Sequence, residues 1–323
     1  MHALSRILVV LAALTVPSYA AQRSDWPTKP VRFIVPFPPG GTVDPLARLL
    51  GQRLTASLGQ QFVIDNRTGG SGAIGTAIAA KSAPDGYTYV FVFDTHAVNP
   101  HLISNLPFDT VKDFAPVMLV GTSPMAIATL PNRPYKSFQD VIAAAKAKPG
   151  SITYGSVGAG SLGHLSVTVV EKMGGFRLVH VPYKGGGPMT TDLLGGHIEL
   201  AIGSVALLSP QVAGGRMRAV ATTGDKRSHA MPDVATLAEQ GFPGFASFAW
   251  WGIFAPAGTP KPVLDKFHGE LTKALNQPDL RKQLTEQLGM DLRATDPATL
   301  QKFLVSEMER WGKVVKEYGI RAD

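Results

Sequence analysis

Glycines placed just ahead of helix starts carry most of the chemistry available in this sequence. Phe37-Pro38-Pro39-Gly40-Gly41-Thr42 follows an apolar run and precedes a helical stretch. Glycines let a ligand approach the backbone, and the free N–H groups of a first helical turn attract an anion. The prolines hold such a loop in shape without a ligand. Tyr183-Lys184-Gly185-Gly186-Gly187-Pro188 repeats the arrangement, with Lys184 adding a positive charge, and Gly203-Ser204 makes a third strand end of this kind. Two segments match G-x-G-x-x-G, Gly70 to Gly75 and Gly158-Ala159-Gly160-Ser161-Leu162-Gly163. In a dinucleotide fold the first glycine follows its strand directly and an acid ends the next strand. Asn66 to Gly69 separates the first match from its strand, although Asp94 ends the next one. Tyr183 and Lys184, with no acid, follow the second. Both segments therefore read as anion cradles, and no cofactor is expected.

Ser161 lies between Gly160 and Leu162 in a segment close to a nucleophile elbow, with His164 three residues on. A hydrolase would need a histidine from elsewhere, His180 or His197, oriented by an acid, and no spacing supports either. Ser161 reads better as a hydroxyl and helix cap offered to a bound carboxylate. The eight histidines include no H-x-x-x-H pair, and Pro100 separates His96 from His101, so no metal site is expected. Asp94-Thr95-His96 ends a strand and is a candidate cleft wall; the other reading of His96 is a structural histidine. Of Trp250 and Trp251, strand alternation turns one inward.

These loops need strands before them and helices after them. Val31 to Val35, Phe62 to Asp65, Tyr87 to Phe93 and Val117 to Val120 read as strands, with helices from Asp44 as cap and Pro45 as first residue, and over Thr76 to Ser82. The order βαβα implies a parallel sheet covered by helices. A second block has strands at Met125 to Thr129, Ile152 to Gly155, Leu178 to Val181, Leu200 to Gly203 and Arg218 to Ala221, with helices between. One more strand, Phe248 to Phe254, precedes helices at Lys261 to Asn276, Leu280 to Leu288 and Pro297 to Tyr318. Apolar stripes on those last helices must be buried, and the first sheet is the economical place. The fold class expected is α/β, two lobes with two mixed sheets. Lobe 1 would be discontinuous, 22–121 and 249–323; lobe 2, 122–248, would be inserted. The cleft between them suits a small ligand.

The chain has 323 residues, 45% hydrophobic and 17% charged, which excludes intrinsic disorder. It has no cysteine, which excludes disulfides, thiolate metal sites and cysteine nucleophiles. The net charge of +7 favours anionic partners, but no block of like charges marks a nucleic-acid surface, and none is expected as partner. Arg6, the uncharged run Ile7 to Val16, Pro17 and Ser18-Tyr19-Ala20 form a secretory signal peptide, residues 1–20, cut near Ala20. That run is too short to span a membrane. Export without an anchor points to the bacterial periplasm.

In combination these residues resemble a known family. The matching pieces are Trp26-Pro27 with Pro30-Val31, Val35-Pro36-Phe37-Pro38-Pro39-Gly40-Gly41 with Asp44 and Ala47-Arg48, and Asp65-Asn66-Arg67 with Gly69-Gly70 and Gly75. They continue with Ala83-Pro84-Asp85-Gly86-Tyr87-Thr88, Tyr154-Gly155-Ser156 with Gly158, Gly160 and His164, Val181-Pro182-Tyr183-Lys184-Gly185, and Ala255-Pro256-Ala257-Gly258-Thr259-Pro260. The chain is similar to the periplasmic solute-binding components of tripartite tricarboxylate transporters, the Bug-type receptors. The resemblance implies a Venus-flytrap fold and a carboxylate ligand held by backbone amides and waters, at Pro39 to Thr42 and at the lobe 2 glycine loops. It also brings Asn66 into the site. Many members carry an acidic residue where this chain has Gly203-Ser204, and its lack disfavours a ligand with an ammonium group.

The function expected is a non-enzymatic periplasmic receptor, a monomer, that captures a small organic acid and delivers it to integral-membrane transporter subunits. The rival readings are a periplasmic serine hydrolase and a ligand-presenting receptor for a sensor kinase.

Overall fold

Val31–Val35 (β1) is apolar at four of five positions because neighbours cover it on both edges and both faces. A computed structural model of the protein describes residues 25–321; the expected signal segment lies outside them. β1 pairs in parallel with Phe62–Asn66 (β2) and Thr88–Phe93 (β3). Parallel neighbours need crossovers, here Val43–Leu58 (α1) and Ala73–Ala80 (α2). α1 is capped at Thr42, not Asp44, and ends at Gly59, whose φ of 70° is the left-handed stop that glycine allows. Thr95–Leu102 (α3) has no periodic signal, because Pro100 sits inside it.

Phe114–Thr129 (β4) is one 16-residue strand, where the sequence reads as two strands broken near Pro124. It pairs with Phe248–Pro256 (β9) as far as Pro124, and with Leu200–Ser204 (β7) from Met125 onward. The donor that proline lacks falls where the strand changes partner. Beyond β7 lie Thr153–Ser156 (β5) and Val179–Pro182 (β6); Arg218–Thr222 (β8) also pairs with β4. The two expected sheets are thus halves of one ten-stranded sheet, order β2-β1-β3-β9-β4-β7-β5-β6, joined through β4. The helices of the second half are Phe138–Ala147 (α4), Leu162–Gly174 (α5), Gly186–Leu194 (α6) and Val205–Ala213 (α7).

After β9 come Lys261–Leu275 (α8), Pro278–Lys282 (α9), a π-helical turn over Gln283–Gln287, the short strand Asp291–Leu292 (β10) and Pro297–Tyr318 (α10). α8 packs on α1, and α10 packs on α3 and β4. Phe33, Phe62, Tyr89 and Phe267 of α8 form a ring cluster, with Tyr89 and Phe267 centroids 4.0 Å apart. Full burial of each such side chain contributes roughly 1.5–3 kcal/mol. The last turns of α10 also reach α5: Trp311 and Val315 share an apolar cluster with Val98, Leu162 and Leu165.

Candidate binding cleft between the lobes

The carboxyl ends of β1, β3, β5 and β7 open onto one point. Thr42 and Val43 at the start of α1, Phe93, Val157, Gly185 and Gly186 at the start of α6, and Ser204 capping α7 line a single cavity of about 20 Å³. That volume suits about one water. Helix N-termini from both lobes therefore aim their partial positive charge at one place. Gly40, with φ of 86°, lets the lobe 1 loop turn here. Trp251 donates from Nε1 to Thr42 Oγ1 at 3.1 Å and packs on Phe93, which fixes the loop to the sheet. Trp250, the alternate residue, faces Phe303 of α10; both tryptophans are fully buried.

The glycine turns of the two lobes touch. A Cβ on Gly187 would stand 2.7 Å from the Pro39 carbonyl oxygen, and one on Gly185 would stand 2.8 Å from Pro38 Cδ. Pro38, Pro39 and Gly40 thus pack against Gly185 to Gly187, an approach that only glycines permit. Ser204 Oγ accepts the Leu207 N–H at 3.2 Å, and a Cβ on Gly203 would meet Leu207 at 2.9 Å.

The flank beside α3 and α5 is also tied. Ser71, at φ 50° in the Gly70–Gly72 turn, donates to the Ala159 carbonyl at 2.8 Å, and a Cβ on Gly158 would meet its hydroxyl. Asp94 accepts the Leu162 N–H of α5 at 3.4 Å, while its other oxygen is buried without a partner. Burial pushes the Asp94 carboxyl up to about 8, with the Glu307 carboxylate of α10 adding to the rise. Gly160 packs against Leu102. Sequence reasoning missed Ser71 and the cross-lobe role of Asp94; the positive φ between two glycines is the local signal for the first.

Other expected site residues sit elsewhere or act indirectly. Asn66 donates to the Phe37 carbonyl at 3.0 Å and to Asp44 at 2.9 Å, so it braces the lobe 1 loop. His96 turns away from the cleft and packs on Phe108, Phe114 and Phe254; burial drives it down to about 3 and keeps it neutral. Its neighbour Thr95 is buried at the start of α3. Tyr183 donates its hydroxyl to Asp192 at 2.7 Å, and Lys184 is exposed. Ser161 caps α5 by accepting the His164 N–H at 3.4 Å, and His164 Nδ1 accepts the Gly160 N–H at 3.1 Å. His180 instead meets Ser156, at 2.7 Å, and stacks on His164 at 3.9 Å. The serine-hydrolase arrangement therefore finds no support. A groove of about 700 Å³ on the outer side of α5, beside His164 and His180, shares no residue with the glycine turns.

The model of the tripartite tricarboxylate transporter family receptor matches residues 46–320. The chain belongs to this family. Solved receptors similar to it include the periplasmic binding protein BugD, 32% identical with a TM-score of 0.87, over 92% of this chain and 99% of that one. Rpa4515 of R. palustris, solved with adipate, is 34% identical with a TM-score of 0.88, over 92% and 99%. MatC of Rhodopseudomonas palustris, solved with bound malate, is 30% identical with a TM-score of 0.84, over 90% and 100%. The receptor is thus a two-lobed solute-binding protein of a periplasmic family that serves membrane transporters, and the sensor-kinase reading finds no support among these relatives.

Proposed function

We propose that this receptor, a non-enzymatic monomer, captures one organic acid in the periplasm and hands it to its membrane transporter subunits. The carrying observation is the convergence of helix starts from both lobes on one cavity. A carboxylate that enters between these turns when they part would take amide hydrogen bonds from the Pro39–Thr42 loop and from the Gly185 and Ser204 turns. Only closure supplies both sets, so the ligand shifts the population towards the closed form. The change of β4 partner at Pro124 and the start of β9 at Phe248 support a hinge where lobe 1, residues 22–121 and 249–323, meets lobe 2, residues 122–248. Acids in the adipate and malate relatives support the ligand class. The signal segment would be cut near Ala20.

Thermal unfolding of the full mature chain with a panel of carboxylates tests this. A ligand at 100 times its Kd stabilises by about 2.7 kcal/mol, and X-ray scattering should show compaction with the same acid. A panel in which no acid shifts the midpoint overturns the reading.

A further inference from the structure

Thr42 immediately precedes α1, yet its hydroxyl caps no helix N–H. Its oxygen instead accepts the Trp251 indole N–H at 3.1 Å. An indole only donates, whereas a threonine hydroxyl has one proton and two lone pairs. The indole therefore fixes Thr42 as the acceptor of this pair and leaves its proton over. Among the described residues no atom accepts that proton. Thr42 is half-buried and lines the small cavity between the glycine turns; it also borders a larger chamber of about 280 Å³ beside Leu207. Trp251 is held rigidly from behind. It is fully buried, its ring packs on Phe93 with centroids 5.4 Å apart, and it pairs in register with Phe93 of β3 on one edge and Gly121 of β4 on the other. The adjacent Trp250 has a buried indole N–H with no partner, so a place in β9 does not by itself bring an indole an acceptor.

We propose that Thr42 donates its hydroxyl proton to the bound carboxylate, and that Trp251 is the positioning residue that turns the proton there. The site thus adds one side-chain donor, aligned from the sheet, to the backbone amides of the turns. This deepens the carboxylate reading above and rests on it. A free hydroxyl rotates to suit its partner; one lone pair held by a buried indole keeps the proton from pointing back at the sheet. A donor set in advance leaves less to be ordered on binding, which favours affinity. Donation to an anion also strengthens the indole bond, because linked hydrogen bonds polarise one another. The same proton opposes a ligand group that can only donate, such as an ammonium.

Calorimetric titration of the full mature chain with adipate, malate and benzoate tests the assignment, the tightest of the three being carried through the variants. Thr42→Val keeps the shape and removes the hydroxyl. It should weaken binding about 10- to 100-fold, the worth of one hydrogen bond to a charged group, and Thr42→Ser should restore most of the loss. Trp251→Phe keeps a ring against Phe93 and loses the indole donor. It should weaken binding several-fold in the native chain and add nothing in the Thr42→Val background, because the two act as one unit. The indole proton resonance of Trp251, identified by its absence in Trp251→Phe, should move when the acid binds. Thr42→Val binding as tightly as the native chain overturns this inference alone. Losses that multiply in the double variant, or a resonance that stays in place, overturn the positioning role of Trp251. The two Thr42 variants decide the donor role even where Trp251→Phe does not fold. Binding of none of the three acids by the native chain overturns the inference together with the carboxylate reading.

Discussion

The two flanks of the cleft are built on opposite terms. On the α3–α5 flank the lobes are stitched by Ser71 to Ala159, by Asp94 to Leu162, and by an apolar cluster that runs from Val98 through Leu162 to Trp311. On the α1–α7 flank the same closure leaves about 280 Å³ open beside Leu207. Contact on one side and room on the other teach that closing need not fill this cleft.

The largest way to disturb this contrast is pH. Asp94 is held protonated up to about 8 in the buried site, whereas a hydrated aspartate ionises near 4. Its acid form therefore favours the folded state. That contribution is complete below about pH 4, declines as the pH rises, and is gone above about 8, a total of roughly 5 kcal/mol over four units. Stability of the Asp94→Asn variant should lose this dependence; equal slopes for both proteins between pH 5 and 9 would refute it. Trp311→Ala empties the same flank and leaves Glu307, which accepts the indole N–H at 3.0 Å, without that partner. It should cost about 3–5 kcal/mol in denaturant unfolding.

Gly187→Ala attacks the meeting point itself. A methyl group 2.7 Å from the Pro39 carbonyl opposes closure, while alanine suits the first turn of α6. If the closed form falls to between a hundredth and a tenth, ligand affinity falls about 10- to 100-fold, with the melting point of the free protein nearly unchanged; unaltered affinity would show that the turns do not need to touch. The smallest effect is expected from Asn66→Ala, which removes the brace on Phe37 and Asp44. It should cost about 1 kcal/mol and weaken binding several-fold without changing the order of ligands.

Local signals made part of this legible. The glycine turns could be found because anion cradles need small residues beside helix starts, and β1 and β3 because buried parallel strands are continuous apolar runs. α3 was hidden by Pro100, and the unity of β4 by Pro124, since a proline reads as a break wherever the neighbouring strand is not known. His96 looked polar in a cleft loop, yet one helical turn carries it in among Phe108, Phe114 and Phe254. Asn66 was found through resemblance, with its bracing role visible only once Phe37 and Asp44 are next to it. The chamber left no trace in the sequence, because α1, α7 and the segment around Leu284 to Met290 come together from points more than two hundred residues apart.

β4 runs unbroken through both halves of the molecule, hydrogen-bonded to β9 up to Pro124, with register shifts near Met118 and Gly121. Such irregularities raise the local twist of a ladder. The chain therefore passes from one half to the other on a strand that stays hydrogen-bonded on both sides of Pro124, first to β9 and then to β7 and β8, and not on a loop.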